Sequence, residues 1–176
     1  IVGGCVRRIQ QEKLGMKKED YAFLLHTDIA RITHSWQEEI VNRLSGELIE
    51  ISQNNENLLD EMVRESYNDL IRSINLTISF HAIKDLSVPT IDEVISAVKD
   101  ALAREMLLVQ KVNSDEDVKF LLDDSGQLRL RTPLNIFIGG QILDRGITIK
   151  NMIGFYYGRN PKRFQQDTVL QHSRMY

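Results

Sequence analysis

The sequence predicts an α/β fold, with a parallel sheet of about four or more strands flanked by helices. Short apolar runs of about 5–8 residues recur along the chain, and such runs are typical of buried parallel strands. Between them lie stretches with apolar residues at helical spacing. Strands that alternate with helices are joined by right-handed crossovers, which place the helices against the faces of a parallel sheet.

The first half of the chain predicts one strand and three helices. A helix ends near residue 13, and an apolar strand follows at residues 21–27. Thr33 or Ser35 is the expected N-cap of the next helix, because either hydroxyl can accept a hydrogen bond from a free backbone N–H. Asn54 or Asn55 is expected to open a longer helix. The helix that directly follows the strand has apolar residues at helical spacing, namely Trp36, Ile40, Val41 and Leu44.

The second half of the chain predicts three further strands. Pro89-Thr90 starts a helix, since proline is favoured in the first helical turn. The expected strands are residues 106–113, 135–138 and 153–157. The other expected elements are a short helix at residues 115–122, a turn at 123–126 and a terminal helix at 164–176.

Four short segments of polar residues and glycine follow the predicted strands directly. The carboxyl ends of parallel strands share one edge of a sheet, and ligands of open α/β sheets bind at that edge. We therefore expect the functional site there. The four segments are His26-Thr27-Asp28, Asn113-Ser114, Gly139-Gly140 and Gly158-Arg159.

The composition is that of an ordinary globular chain. Its 176 residues, 42% hydrophobic and 27% charged, suit one domain or one lobe of a larger protein. No apolar run approaches the roughly 18 residues of a membrane span, and no signal peptide is visible, so we expect no membrane partner. The single cysteine fits a reducing compartment, and a cytoplasmic location is expected. The absence of an initiator methionine leads us to expect a fragment of a longer protein.

Charge is unevenly distributed along the chain. Residues 126–176 contain eight basic and two acidic side chains, a net of +6, whereas residues 1–125 have a net charge of −9. A basic final third on an acidic body favours a partner that carries phosphate groups. The alternative is that the loops of this segment are simply basic.

Several chemistries lack their sequence patterns. No phosphate-binding loop and no Rossmann glycine triplet are present, and the four histidines lack zinc-ligand spacing, so no metal site is expected. Asp92, Asp117 and Lys119 can be matched to the carboxylate and lysine pattern of metal-dependent nucleases. So short a pattern arises easily by chance, and a solvated helix surface is the competing interpretation.

Two segments in the C-terminal third have the most specific pattern. A strand leads into Gly-Gly-Gln-Ile-Leu-Asp-Arg-Gly-Ile-Thr at residues 139–148, and a predicted helix contains Asp-Thr-Val-Leu-Gln-His-Ser-Arg at residues 167–174. Together they resemble motifs five and six of superfamily II helicases and translocases. More narrowly, they resemble the Z1 (Z-one) domain, a helicase-like family of bacterial restriction and phage-defence systems that has also been labelled an endonuclease.

Weaker similarities extend the resemblance over nearly the whole chain. An apolar residue followed by Gly-Gly-x-x-Arg occurs at residues 2–7. The run Leu24-Leu25-His26-Thr27 is followed by His34, and the pair Asn113-Ser114 follows a strand. These features support the resemblance without being specific to it.

The resemblance implies the second RecA-like lobe of an ATP-dependent motor, with named roles for individual residues. It implies that Arg174 acts as an arginine finger on the γ-phosphate, with Gln171 one helical turn before it. Arg145, Gly146 and Thr148 would lie near the nucleotide. Glycines at the turn allow the backbone to approach a phosphate chain closely. The implied nucleic-acid-binding residues are Gly139, Gly140, Gln141, His26, Thr27, Asn113 and Ser114.

The expected protein is therefore a single C-terminal helicase lobe over residues 1–176, with a helical insertion at about 45–89. Its function would be DNA translocation or unwinding. The full-length protein would bind ATP and Mg²⁺, and the isolated chain is expected to be inactive. Its partners would be DNA, contacted through the backbone, the upstream RecA-like lobe and other defence-system subunits. An endonuclease domain and a non-catalytic α/β interaction module stay open as alternatives.

Overall fold

The computed structural model describes residues 1–26, 31–81, 87–112, 120–124, 126–139 and 149–158. These residues form four α-helices and four β-strands. The elements in chain order are α1 (Val2–Lys13), β1 (Tyr21–His26), α2 (Arg31–Asn54), α3 (Glu56–His81), α4 (Ile91–Ala103), β2 (Leu107–Val112), β3 (Leu134–Gly139) and β4 (Met152–Tyr157). The short helix predicted at 115–122 lies largely, and the terminal helix predicted at 164–176 entirely, outside the described residues.

The four strands form one all-parallel sheet in the order β2-β3-β1-β4. Each strand is a six-residue run of mostly apolar side chains, as buried parallel strands require. The predicted α/β fold class is confirmed. All four strands were predicted, with boundaries that differ by one or two residues.

Contacts divide the chain into two compact units. One unit comprises Ile1–Glu19 and Ser45–Met106 and is helical; the other comprises Asp20–Leu44 and Leu107–Tyr176 and contains the sheet. The boundary between Leu44 and Ser45 falls inside α2. The predicted single lobe with a helical insertion at 45–89 stays a prediction.

The helical unit is built around the apolar side of α4, which packs with α1 and α3. Val94, Val98 and Leu102 repeat at helical spacing and are almost fully buried. Thr90 caps α4 in a capping box: its hydroxyl accepts from the Glu93 backbone N–H, and the Glu93 carboxylate accepts from the Thr90 backbone N–H at 2.7 Å. The predicted start of this helix is confirmed.

Hydrogen bonds to the Glu93 carboxylate stabilise its charged form. A hydrogen bond from the Lys13 ammonium, and then one from the Thr90 backbone, hold the pKa of this carboxyl below its usual range. A carboxyl whose pKa is depressed by folding contributes stability above its unfolded pKa. That contribution is lost as the pH falls through the lowered folded value.

One face of the sheet is covered by chain that follows β2 and β3. Leu121, Leu128 and Ile149 pack there with sheet residues to form a core cluster. The connection after β2 and the connection after β3 both lead in the same direction across the sheet. Because crossovers between parallel strands are right-handed, both connections are predicted to cover this same face. The sheet residues of the cluster are Ala22, Leu24, Val112 and Phe137.

The start of α2 differs from the prediction. The helix begins at Arg31, so Thr33 and Ser35 lie inside it and the predicted N-cap was wrong. The Ser35 hydroxyl instead accepts a hydrogen bond from Lys111 Nζ at 3.2 Å, and the Lys111 ammonium also pairs with Glu38 at 2.8 Å. The polar side of α2 therefore makes the contact with β2.

The apolar residues of α2 lie largely in solvent. Trp36, Ile40 and Leu44 are 61%, 44% and 49% exposed. Helical spacing of apolar side chains usually indicates a buried side. Here the contact between α2 and β2 uses the other side of the helix, so the spacing predicted the helix correctly but not its buried side. The longer helix predicted after it is confirmed, since Asn55 Oδ1 accepts from the Leu58 backbone N–H at 3.3 Å and opens α3.

A glycine in β4 lies directly beneath an aromatic ring of β1. The register of β1 with β4 shifts at Ala22/Phe23, so that Gly154 pairs with Phe23. A Cβ atom at Gly154 would lie 2.5 Å from Cδ2 and Cε2 of the Phe23 ring. Only glycine fits here without movement of the ring.

We expect Gly154→Ala to lower the free energy of unfolding by about 1–3 kcal/mol, because the methyl group displaces a packed ring. Gly46→Ala is the matched control. Gly46 is an exposed helical residue with nothing within 4 Å of the added Cβ, and alanine there should stabilise by about 0.5–1 kcal/mol. Denaturant unfolding of both variants tests whether their unfolding free energies change in opposite directions. Equal stability of Gly154→Ala and the parent would contradict the packing argument.

Candidate functional site

The order of the strands places a topological switch point at the carboxyl ends of β3 and β1. These two neighbouring strands are followed by connections that leave in opposite directions across the sheet. Because parallel connections are right-handed, the two connections leave towards opposite faces. Open α/β sheets bind ligands at such a topological switch point. The last residues of the two strands are Gly139 and His26.

His26 joins these two strand ends through its side chain. The ring is 1% exposed, and its Nδ1 lies 3.1 Å from the carbonyl oxygen of Gly139, 113 residues further along the chain. A carbonyl oxygen can only accept, so Nδ1 carries the proton and donates. The backbone ladder between β1 and β3 ends at Leu25 and Ile138. The His26 ring therefore links β1 to β3 one residue beyond their last backbone pair.

His26 also holds β4. Its backbone carbonyl accepts from the Gly158 N–H at 2.9 Å, and its ring stacks on Phe155 with 6.3 Å between the centroids. One residue thus connects the carboxyl ends of three strands. A ring buried to this degree acts on a ligand through the backbone that it positions.

The start of α2 is held near the carboxyl end of β2. Lys111 lies one residue before the end of β2, and its ammonium reaches Ser35 and Glu38 in the first turns of the helix. His34, directly before Ser35, is 2% exposed. The start of α2, the next described element after β1, is therefore attached to the same edge of the sheet as His26.

The ends of the predicted strands meet at one edge, as expected. Val112 pairs with Gly139, and His26 pairs with Tyr157. At about 4.8 Å per strand the edge is about 14 Å wide. Of the predicted site residues, His26 and Gly139 are described and are brought together. The others lie outside the described residues, and their roles stay predictions: Thr27, Asn113, Ser114, Gly140, Gln141, Arg145, Gly146, Thr148, Gln171 and Arg174.

The described residues offer little for nuclease or nucleophile chemistry. No cluster of three His, Cys, Asp or Glu side chains that could hold a metal ion occurs among them. Asp92 pairs with Arg64 at 3.3 Å on the surface, while Asp117 and Lys119 are not described. Burial raises the pKa of the Cys5 thiol, which disfavours its thiolate.

The family model of the Z1 domain matches residues 1–176. The chain belongs to the Z1 domain family. No curated protein and no solved structure matches it at a significant level. The resemblance of the sequence to the Z1 domain is thereby confirmed over the full length of the chain. Within the described part of this Z1 domain, no helix combines the length and apolarity that crossing a membrane requires.

Sequence analysis missed two features of this Z1 domain. The first is the positioning role of the buried His26 ring, which depends on a residue 113 positions away. The second is a surface hairpin bridged at Leu122 and Leu128, which follows the exposed aromatic ring of Phe120. The alternation Leu128-Arg129-Leu130-Arg131 could have predicted it, because period-two alternation indicates an extended segment with one buried side.

Proposed function

We propose that this Z1 domain is the C-terminal RecA-like lobe of an ATP-dependent superfamily II DNA helicase or translocase, in a bacterial restriction or phage-defence system. The observation that supports it most is the position of Gly139. It ends a central parallel strand at the topological switch point, and the Arg-Gly-x-Thr segment at 145–148 follows within ten residues. Motif five of these motors has the same relation to its strand.

The proposal divides the nucleotide site between two lobes. The phosphate loop and the acidic residue that binds Mg²⁺ would come from the upstream lobe, because this sequence contains no phosphate loop. Bound ATP would supply the phosphoryl-transfer chemistry. Arg145, Gly146 and Thr148 would hold the ribose and phosphate side of the cleft, and Arg174 would meet charge on the γ-phosphate. The carboxyl edge fits such a ligand in that Gly139 ends β3 and Gly158 directly follows β4, so that no side chain at either position blocks the approach of a phosphate group.

The His26 ring has a positioning role in this proposal. Its bond to the Gly139 carbonyl would fix the backbone from which the segment 140–148 continues. Motif-five residues must be placed within a fraction of an ångström to act on phosphate charge. The buried ring would therefore position the backbone at Gly139 without itself contacting the nucleotide or DNA.

DNA would be contacted through its backbone at the same edge. Residues Thr27, Asn113 and Ser114, with the Gly-Gly-Gln turn at 139–141, follow three adjacent strands. Hydroxyl, amide and backbone N–H groups bind phosphate oxygens but do not distinguish bases. We therefore expect salt-sensitive binding with little sequence preference.

Fluorescence anisotropy with a labelled single-stranded oligonucleotide tests the proposed function. Each phosphate contact adds about −0.7 to the slope of log affinity against log salt, so three contacts give about −2. Asn113→Asp should weaken binding severalfold, because a carboxylate then faces the phosphates.

Asn75→Asp is the matched control for that experiment. It adds the same charge to the exposed surface of α3 in the helical unit, and we expect it to change binding by less than about twofold. If both variants weakened DNA binding equally, the change in net charge alone would explain the result, and Asn113 would have no specific role. Absence of binding at low salt would exclude a DNA-binding lobe and favour an interaction module.

A further inference from the structure

Phe120 is an aromatic side chain with a large open surface. It is 73% exposed, although the Arg131 guanidinium lies over its ring at 5.0 Å from the centroid. Because that exposure is measured with Arg131 in place, the arginine covers one part of the ring and leaves the rest in contact with water. A ligand that covers this ring would remove a large apolar area from water.

The chain that follows Phe120 forms a hairpin. Leu122 and Leu128 form an antiparallel bridge, and the Arg129 N–H donates to the Leu121 carbonyl at 2.8 Å. The turn between the arms is closed by Asp123, whose carbonyl and carboxylate accept from Gly126 N and Gln127 N at 3.0 Å each. The Phe120 ring therefore lies next to a hairpin that is held by hydrogen bonds.

Alternation along the second arm brings two arginines to the outer side. Leu128 is 2% exposed and Leu130 packs against the same core cluster, so both point into the protein. Arg129 and Arg131 are exposed and lie on the opposite side, about 7 Å apart as residues two positions apart in an extended chain. Phe120 shares this outer side through its contact with Arg131.

We propose that Phe120, Arg129 and Arg131 form a binding platform for single-stranded nucleic acid. A base would stack on the open part of the Phe120 ring, since every base has a π-face and such stacking tolerates any sequence. The Arg131 guanidinium is planar and lies over the ring, and it would extend the surface on which a base can stack. Arg129 would bind an adjacent backbone phosphate. Nucleic acid matches this arrangement because it alternates planar bases with phosphate charges.

The platform is separate from the carboxyl edge. The hairpin leads into the amino-terminal end of β3, where the Arg131 N–H donates to Asn135 Oδ1 at 3.2 Å. A six-residue strand is about 20 Å long, so the platform and the Gly139 turn would contact different nucleotides. The choice of DNA as ligand rests on the proposed function, whereas the stacking geometry does not.

Anisotropy titrations of the chain with two fluorescent oligonucleotides of equal length test the platform. One is oligo(dT), and the other has the same backbone with abasic sites. Phe120→Ala should lower the affinity for oligo(dT) about fivefold or more and leave the affinity for the abasic strand unchanged. Phe120→Trp should retain or increase the affinity for oligo(dT).

Phe80→Ala is the matched control, because Phe80 is 84% exposed on α3 and no arginine lies over its ring among the described residues. It should bind both oligonucleotides as the parent does. Arg129→Ala should weaken the binding of both oligonucleotides and reduce the slope of log affinity against log salt by about 0.7.

Three results would overturn the platform. They are parent-like binding of oligo(dT) by Phe120→Ala, an equal loss on both oligonucleotides, and an equal loss with Phe80→Ala. If any of these occurs while the parent binds DNA with a salt slope, the proposed function stands without the platform. If the parent binds neither oligonucleotide at low salt, both proposals fail.

Discussion

Replacing Arg174 by alanine in the full-length protein is expected to abolish ATP turnover, with a loss of about 10³–10⁵ in rate. The proposed role of this guanidinium is to stabilise negative charge that shifts during phosphoryl transfer. ATP binding should weaken much less, because contacts from the phosphate loop of the upstream lobe would dominate it. Steady-state ATPase assays and nucleotide-binding measurements test the two expectations separately.

The conservative variant sharpens this test. Arg174→Lys should restore little activity, because an ammonium lacks the planar, multiply donating guanidinium. Arg72→Ala is the control: Arg72 is an exposed residue of α3, and its loss should cost under about 0.5 kcal/mol of stability and no activity. Normal turnover by Arg174→Ala would remove the motor function from the predicted terminal helix.

His26→Ala is expected to destabilise the fold by about 3 kcal/mol. The substitution leaves a cavity among three strand ends and removes the donor to the Gly139 carbonyl, and each of these losses is costly in a buried position. For a chain of this size the midpoint of thermal unfolding should fall by about 6–12 °C. Thermal unfolding followed by circular dichroism measures it.

A second variant separates the two contributions of the ring. His26→Phe keeps an aromatic ring beside Phe155 but cannot donate to the Gly139 carbonyl, so we expect a loss of about 1–3 kcal/mol. If the ring positions the loop after Gly139, His26→Phe should also weaken DNA binding. His81→Ala, which removes an exposed histidine at the end of α3, should change neither property. A His26→Ala protein as stable as the parent would contradict the proposed connection of strand ends.

Most of the secondary structure could be predicted because its causes are local. The runs that became β1 and β3 are short and mostly apolar, and polar residues, proline or glycine flank them, a pattern typical of a buried strand. The start of α4 follows from Thr90 and Glu93, three residues apart. The family resemblance was equally local, since it rested on two short segments, and the match over residues 1–176 confirms it.

The errors arose where distant residues compete with local preference. Ser35 can cap a helix, but Lys111, 76 residues away, binds its hydroxyl and α2 begins earlier. The apolar spacing of Trp36, Ile40 and Leu44 describes a helix with an apolar side without specifying what that side faces. A hydrophobic pattern determines burial only when another element covers it.

The sequence by itself determined the class of fold, the positions of the four strands and membership of the Z1 family, because each of these depends on neighbouring residues in the chain. Only the tertiary structure decided the strand order β2-β3-β1-β4, and with it the topological switch point between β3 and β1. The same order brings the His26 ring to the Gly139 carbonyl across 113 residues. Pairing between strands is set by the packing of the whole sheet and its crossovers, which no local stretch of sequence contains.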